Sequence, residues 1–163
     1  MMKKIALGIV ALALGLSLNT GAKAGTTTGS MPVTANILAW CALSLNTLDL
    51  GDYAGTSVSV SNDLYVKCSL NSPYNVAMDA GTSFDGSWRR VTDGTNFAQY
   101  GIWKSGDGEW GDSDFAGTYG YGGSLAATGT GAYATHTMTA YVLGGQAVPV
   151  GTYTDTVLVS VYF

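Results

Sequence analysis

Histidine occurs once in this 163-residue chain, cysteine twice and proline three times, and only seven residues carry positive charge. Each scarcity excludes something. One histidine, and two cysteines without a Cys-x-x-Cys spacing, give no zinc motif. No Gly-x-Ser-x-Gly elbow and no phosphate-binding glycine loop occurs. His136 stands between Thr135 and Thr137 on a strand-like stretch, where it reads as a packing or surface residue and not a general base. No carboxylate pair stands apart from the other acids. No catalytic residue is expected, and no metal or cofactor is implied.

Long apolar runs are scarce as well. The longest, Ile5 to Leu18, has fourteen residues, about 21 Å of helix against a hydrocarbon core of about 30 Å. Lys3 and Lys4 precede it, and Ala22-Lys23-Ala24 follows as a small-x-small cleavage pattern. Residues 1–24 therefore read as a signal peptide, with a mature chain beginning at Gly25 and no stable membrane insertion. Cleavage leaves Lys67, Arg89, Arg90 and Lys104 against eleven acids, a net charge of 4 − 11 = −7. So acidic a surface repels nucleic acid, and partners of that class are excluded. Export also places Cys41 and Cys68 where disulfides persist. Their bridge would close a loop of roughly 28 residues, worth about 3.5 kcal/mol if it acts by restricting the unfolded chain.

What the chain has in quantity is glycine (23 residues) and tyrosine (10), with many serines and threonines. About 139 mature residues suffice for one domain with a core. Alternation of period two marks strands at Met31–Ile37, Ser57–Ser61, Leu64–Ser69, Tyr74–Met78, Phe97–Trp103, Thr137–Val142 and Tyr153–Phe163. Turn residues separate them, among them Asn62-Asp63, Asn71-Ser72-Pro73 and Asp93-Gly94. Seven or eight short strands without an amphipathic helix predict an all-β sandwich. The glycine-rich stretch from Ala116 to Tyr133 reads mostly as a long connection. Asp107, Glu109, Asp112 and Asp114 flank Trp110. They could form a calcium loop or a sugar contact, but their spacing fails the EF-hand pattern. A solvated turn with a packed Trp110 is the preferred reading.

The two ends of the mature chain carry the more specific signal. The strand Asp155–Phe163 runs to the last residue and lines one face with Val157, Val159, Val161 and Phe163. An apolar strand left at a sheet edge invites strand addition from another chain. Near the other end, Met31, Val33, Ala35 and Ile37 share one face after a polar, glycine-containing lead. They suit a strand donated to a neighbour, and equally the domain's own first strand.

Over nearly all of its mature length the sequence resembles the spore coat U domain family, which includes the pilins of archaic (Csu-type) chaperone–usher pili. The matching pieces are Cys41 with Leu48-Asp49-Leu50-Gly51, then Leu64 to Cys68, Ser72 to Gly81 and Arg89-Arg90-Val91. Tyr100 to Trp103, Trp110-Gly111-Asp112 and the long terminal piece Pro149 to Phe163 complete the order. Leu50 stands where the family usually has Phe, and Val91 where Met is common; both remain apolar. The resemblance implies an incomplete immunoglobulin-like β-sandwich over residues 38–163, completed by a donor strand. A periplasmic chaperone would supply that strand first, and at the outer-membrane usher the next subunit's N-terminal segment would replace it. Carried over by position, residues 25–37 are the donor segment, with Met31, Val33, Ala35 and Ile37 as plugs. Val157, Val159, Val161 and Phe163 then belong to the acceptor and chaperone-binding strand. The expected function is a structural subunit of a surface pilus, exported through the periplasm and supporting adhesion or biofilm formation. A secreted coat or matrix protein and a carbohydrate-binding adhesin are the alternatives.

Overall fold

A computed structural model describes residues 24–105, 108–111 and 123–163. The predicted signal peptide up to Lys23, and the acids Asp107, Asp112 and Asp114, lie outside the described residues. The chain divides into two units, residues 1–36 and 37–163, each taken by itself below.

The described residues of the second unit contain eight strands and no helix. These are β1 (Cys41–Leu45), β2 (Val58–Cys68), β3 (Pro73–Met78), β4 (Arg89–Thr92), β5 (Phe97–Lys104), β6 (Leu125–Thr128), β7 (Tyr133–Val142) and β8 (Val159–Tyr162). All pairings are antiparallel: one sheet runs β1-β2-β7-β5-β4 and the other β6-β3-β8. Alternation decides which side chains enter the core. Leu64, Val66 and Cys68 from β2 meet Met138, Ala140 and Val142 from β7 and Tyr100 and Ile102 from β5. Tyr74, Val76 and Met78 enter from β3 in the opposing sheet. The outcome is the expected all-β sandwich.

Two predicted punctuation marks fall inside elements. Asn62-Asp63 does not turn; β2 continues straight through it for 11 residues. The side chains are satisfied without one: Asn62 Nδ2 donates to Thr47 O at 2.9 Å, and Asp63 Oδ1 accepts from Thr137 Oγ1 at 2.7 Å. The glycine-rich connection contains β6 and the first residue of β7. Between them Gly129 packs so closely on the β2–β3 turn that an added Cβ would collide with Ser69 O, and its N–H donates to Ser72 O at 2.8 Å. Glycine there serves close backbone approach, not looseness. The strands β1 and β4 were not foreseen as separate elements.

A buried knot ties the sheets together. Trp110 is fully buried; its N–H donates to Ile102 O at 2.7 Å and its indole Nε1 to Val76 O at 2.9 Å. Gly111 O accepts from Met78 N at 3.2 Å, so residues 109–111 pass from the β5 row to the β3 row. Arg89, also without exposure, donates to Met78 O at 3.2 Å, Trp110 O at 2.7 Å and Asp79 O, and pairs with Glu109 at 3.1 Å. Trp110 is thus the packed residue expected, and it offers no face to a sugar. At another point Tyr74 of β3 meets His136 of β7, hydroxyl to Nε2 at 2.9 Å. His136 is a packing residue, held below its ordinary pKa by burial.

Candidate functional site

The candidate site is a sheet edge and the segment that could pair with one. β8 hydrogen-bonds to β3 alone, with Val76 opposite Val161 and Met78 opposite Val159. Its other edge carries no strand among the described residues. Val157, Val159 and Val161 point at the core and pack against it, yet all three remain only half-buried. Phe163, expected in the same row, is 60% exposed. The predicted strand Tyr153–Phe163 proves to be a ladder over Val159–Tyr162 preceded by one bridge, Thr92 to Thr154, where each N–H donates to the other's carbonyl at 2.9 Å. The intervening residues leave the β4 margin for the second sheet and cannot pair with both.

Asp155 fixes that crossing. Its Oδ1 accepts from Thr82 N at 2.9 Å and Thr82 Oγ1 at 2.7 Å, and its Oδ2 from Tyr100 Oη at 2.7 Å. Burial first, and then Asp155, push the Tyr100 hydroxyl far above its ordinary pKa, so it remains a donor. Asp79 acts in the same way, its Oδ1 accepting from Leu158 N at 2.9 Å. The approach to β8 is therefore pinned by carboxylates while its apolar flank is left partly uncovered. β1 is one margin of the larger sheet and, among the described strands, pairs with β2 alone.

The predicted plugs are all on the surface of the single chain. Residues 24–40 form no strand, and each is exposed. Met31 is 83%, Val33 83% and Ile37 90% exposed. Among the described residues the alternation read as a strand forms no ladder, so none supports the reading of Met31–Ile37 as the domain's first strand. At Trp40 the chain becomes fixed. Trp40 N donates to Ser69 Oγ at 3.2 Å and Trp40 O accepts from Ser69 N at 3.0 Å. The next residue, Cys41, is disulfide-bonded to Cys68, directly opposite it in the β1–β2 register. The bridge read from the cysteine count is present.

The chemistry this arrangement offers is main-chain pairing and apolar burial. No group of three metal-ligating side chains occurs among the described residues. The role of Arg89 was not legible in the sequence, because the strand that turns it inward, β4, carries no clear alternation of its own.

The Spore Coat Protein U domain family matches residues 27–160. The chain belongs to that family. Among solved structures, this family member is similar to a chain of the CsuC–CsuE chaperone–tip adhesion subunit pre-assembly complex, from the archaic chaperone–usher Csu pili of Acinetobacter baumannii. The likeness has a TM-score of 0.59 at 25% identity and covers 78% of this chain but 40% of that one. No curated protein matches the sequence.

Proposed function

We propose that the chain is a structural subunit of a bacterial surface pilus, assembled through donor-strand complementation. One observation carries the proposal: a single chain presents a partly uncovered β8 flank together with an unpaired, alternating apolar arm. Residues 25–37 of one subunit add a strand beside β8 of the next, with Met31, Val33, Ala35 and Ile37 covering Val157, Val159 and Val161. Burial of Met31, Val33 and Ile37 contributes about 5–9 kcal/mol before ordering costs. That is comparable to the stability of a domain. The contact is head-to-tail and does not close, so it propagates a fibre.

Before assembly the same edge needs a temporary occupant. A periplasmic chaperone and an outer-membrane usher are the partners that the Csu complex suggests, with export of residues 25–163 after cleavage at Ala24 and a cell-surface location. The role is non-enzymatic. Family membership also favours a second reading, a coat or matrix protein using the same strand addition without a usher. Deletion of residues 25–37 tests the main proposal. The truncated subunit should still bind a chaperone yet fail to enter the next subunit, and fibres that assemble normally from it would refute the mechanism.

A further inference from the structure

The outer face of the five-stranded sheet holds a feature the pilus reading does not use. Gly101 on β5 lies directly opposite Tyr141 on β7, and Ser59 on β2 lies opposite Tyr141 on its other side. A Cβ on Gly101 would collide with the Tyr141 ring, so the ring lies down against the sheet in the space glycine leaves. Trp103, two residues along β5 and 47% exposed, stands at 89° to that ring with centroids 5.5 Å apart. The two form a floor and a wall. Ser59 and Thr139 complete the lining of a depression of about 350 Å³. None of the described residues that line it is charged.

We propose that this corner is a contact site for neutral β-linked glucans. A β-glucopyranose ring carries its substituents equatorially, so both faces present C–H groups that can stack on an aromatic floor and against a perpendicular wall. Its hydroxyls need neutral donors and acceptors, for which Ser59 and Thr139 are the residues available beside an otherwise apolar lining. An anionic polysaccharide finds no cation among the described lining residues and meets a mature chain of net charge 4 − 11 = −7. The depression lies at the lower end of ligand-site volumes, about 300–1,000 Å³. This inference does not rest on the pilus reading. It also differs from a sugar contact at Trp110, which is buried.

The test uses the full mature chain, titrated with cellohexaose and with laminarihexaose while tryptophan fluorescence is followed, and retained on cellulose in parallel. Saturable binding is expected with at least one hexaose. Trp103→Ala should weaken it about tenfold, and Gly101→Val, which displaces the Tyr141 ring, should weaken it comparably. Trp40→Ala, at an exposed tryptophan elsewhere, should leave it unchanged. Should Trp103→Ala fold poorly, Trp103→Phe, which keeps a smaller wall, should show an intermediate loss. Absence of binding to both hexaoses, binding indifferent to Trp103 and Gly101, or self-association of the chain through this face would each overturn the proposal.

Discussion

Arg89 holds a positive charge where no solvent reaches it, and its environment shows how one residue can set the sandwich's geometry. Three carbonyls and Glu109 satisfy its guanidinium. Burial lowers its pKa, opposed chiefly by Glu109, while burial raises that of Glu109, opposed by Arg89. Removing one partner strands the other, a loss of about 3–5 kcal/mol when a buried pair is broken. Arg89→Ala should therefore lower the urea midpoint of the mature chain by that order, and Arg89→Lys should rescue little, because a point charge cannot span the same acceptors. A midpoint unchanged by Arg89→Ala would show that the knot is dispensable. His136 makes a pH-dependent prediction. Its folded pKa is depressed by burial beneath the ordinary 6.5, so the unfolded chain takes up a proton first as pH falls. Stability is full above about pH 6.5 and declines as pH drops through that value toward the folded pKa. The melting temperature of the native chain should fall more between pH 7.5 and 5 than that of His136→Gln; equal falls would count against the assignment.

At the scale of elements, the arm and β8 make opposite predictions from their exposure. Ile37 and Val33 are almost fully exposed in the single chain. A double Val33→Asp, Ile37→Asp change should alter subunit stability by less than about 0.5 kcal/mol yet abolish subunit-to-subunit assembly. Val161 packs against the core, so Val161→Asp should both destabilise the subunit, by about 1–3 kcal/mol, and stop it accepting an arm. Sizing by chromatography and urea titration separate the two effects. An arm variant that still polymerises would leave Val33 and Ile37 without their assigned role. The elements most legible in the sequence were those with clean alternation. Leu64–Ser69, Tyr74–Met78 and Phe97–Trp103 were placed where the apolar residues recur at every second position, and the first of them ends one residue past β2. Boundaries failed where side chains rather than turn geometry answered for polar residues, as at Asn62-Asp63. They failed again where glycine marked close packing, as at Gly129. The Val157–Val161 face was legible because its alternation is strict, but the split of Tyr153–Phe163 was not. That split depends on Asp155 reaching Thr82 and Tyr100, partners 55 and more positions away in the chain.

For the whole molecule, the proposed completion of the core by a neighbour would make stability a function of concentration. Among the described residues β8 has an unpaired margin, while an unfolded subunit has no edge to offer, so on the proposed mechanism an arm would bind the native state alone. Mass action then adds RT ln(1 + [L]/Kd), about 2.7 kcal/mol when the arm is present at a hundredfold excess over Kd. Cys41–Cys68 acts differently, restricting the unfolded chain whether or not an arm is present. The two contributions can be separated with a subunit lacking residues 25–37, to which a synthetic peptide of those residues is added. Its melting temperature should climb with the logarithm of peptide concentration, by roughly 5–10 °C across the range for a domain of this size. A peptide carrying Asp at 33 and 37 should give no rise, since a charge buried against Val159 and Val161 would cost more than the strand's hydrogen bonds return. Reduction of the disulfide should lower both curves by a similar amount and leave their slopes alone. A melting temperature indifferent to the native peptide would mean that the margin beside β8 is not where the arm binds.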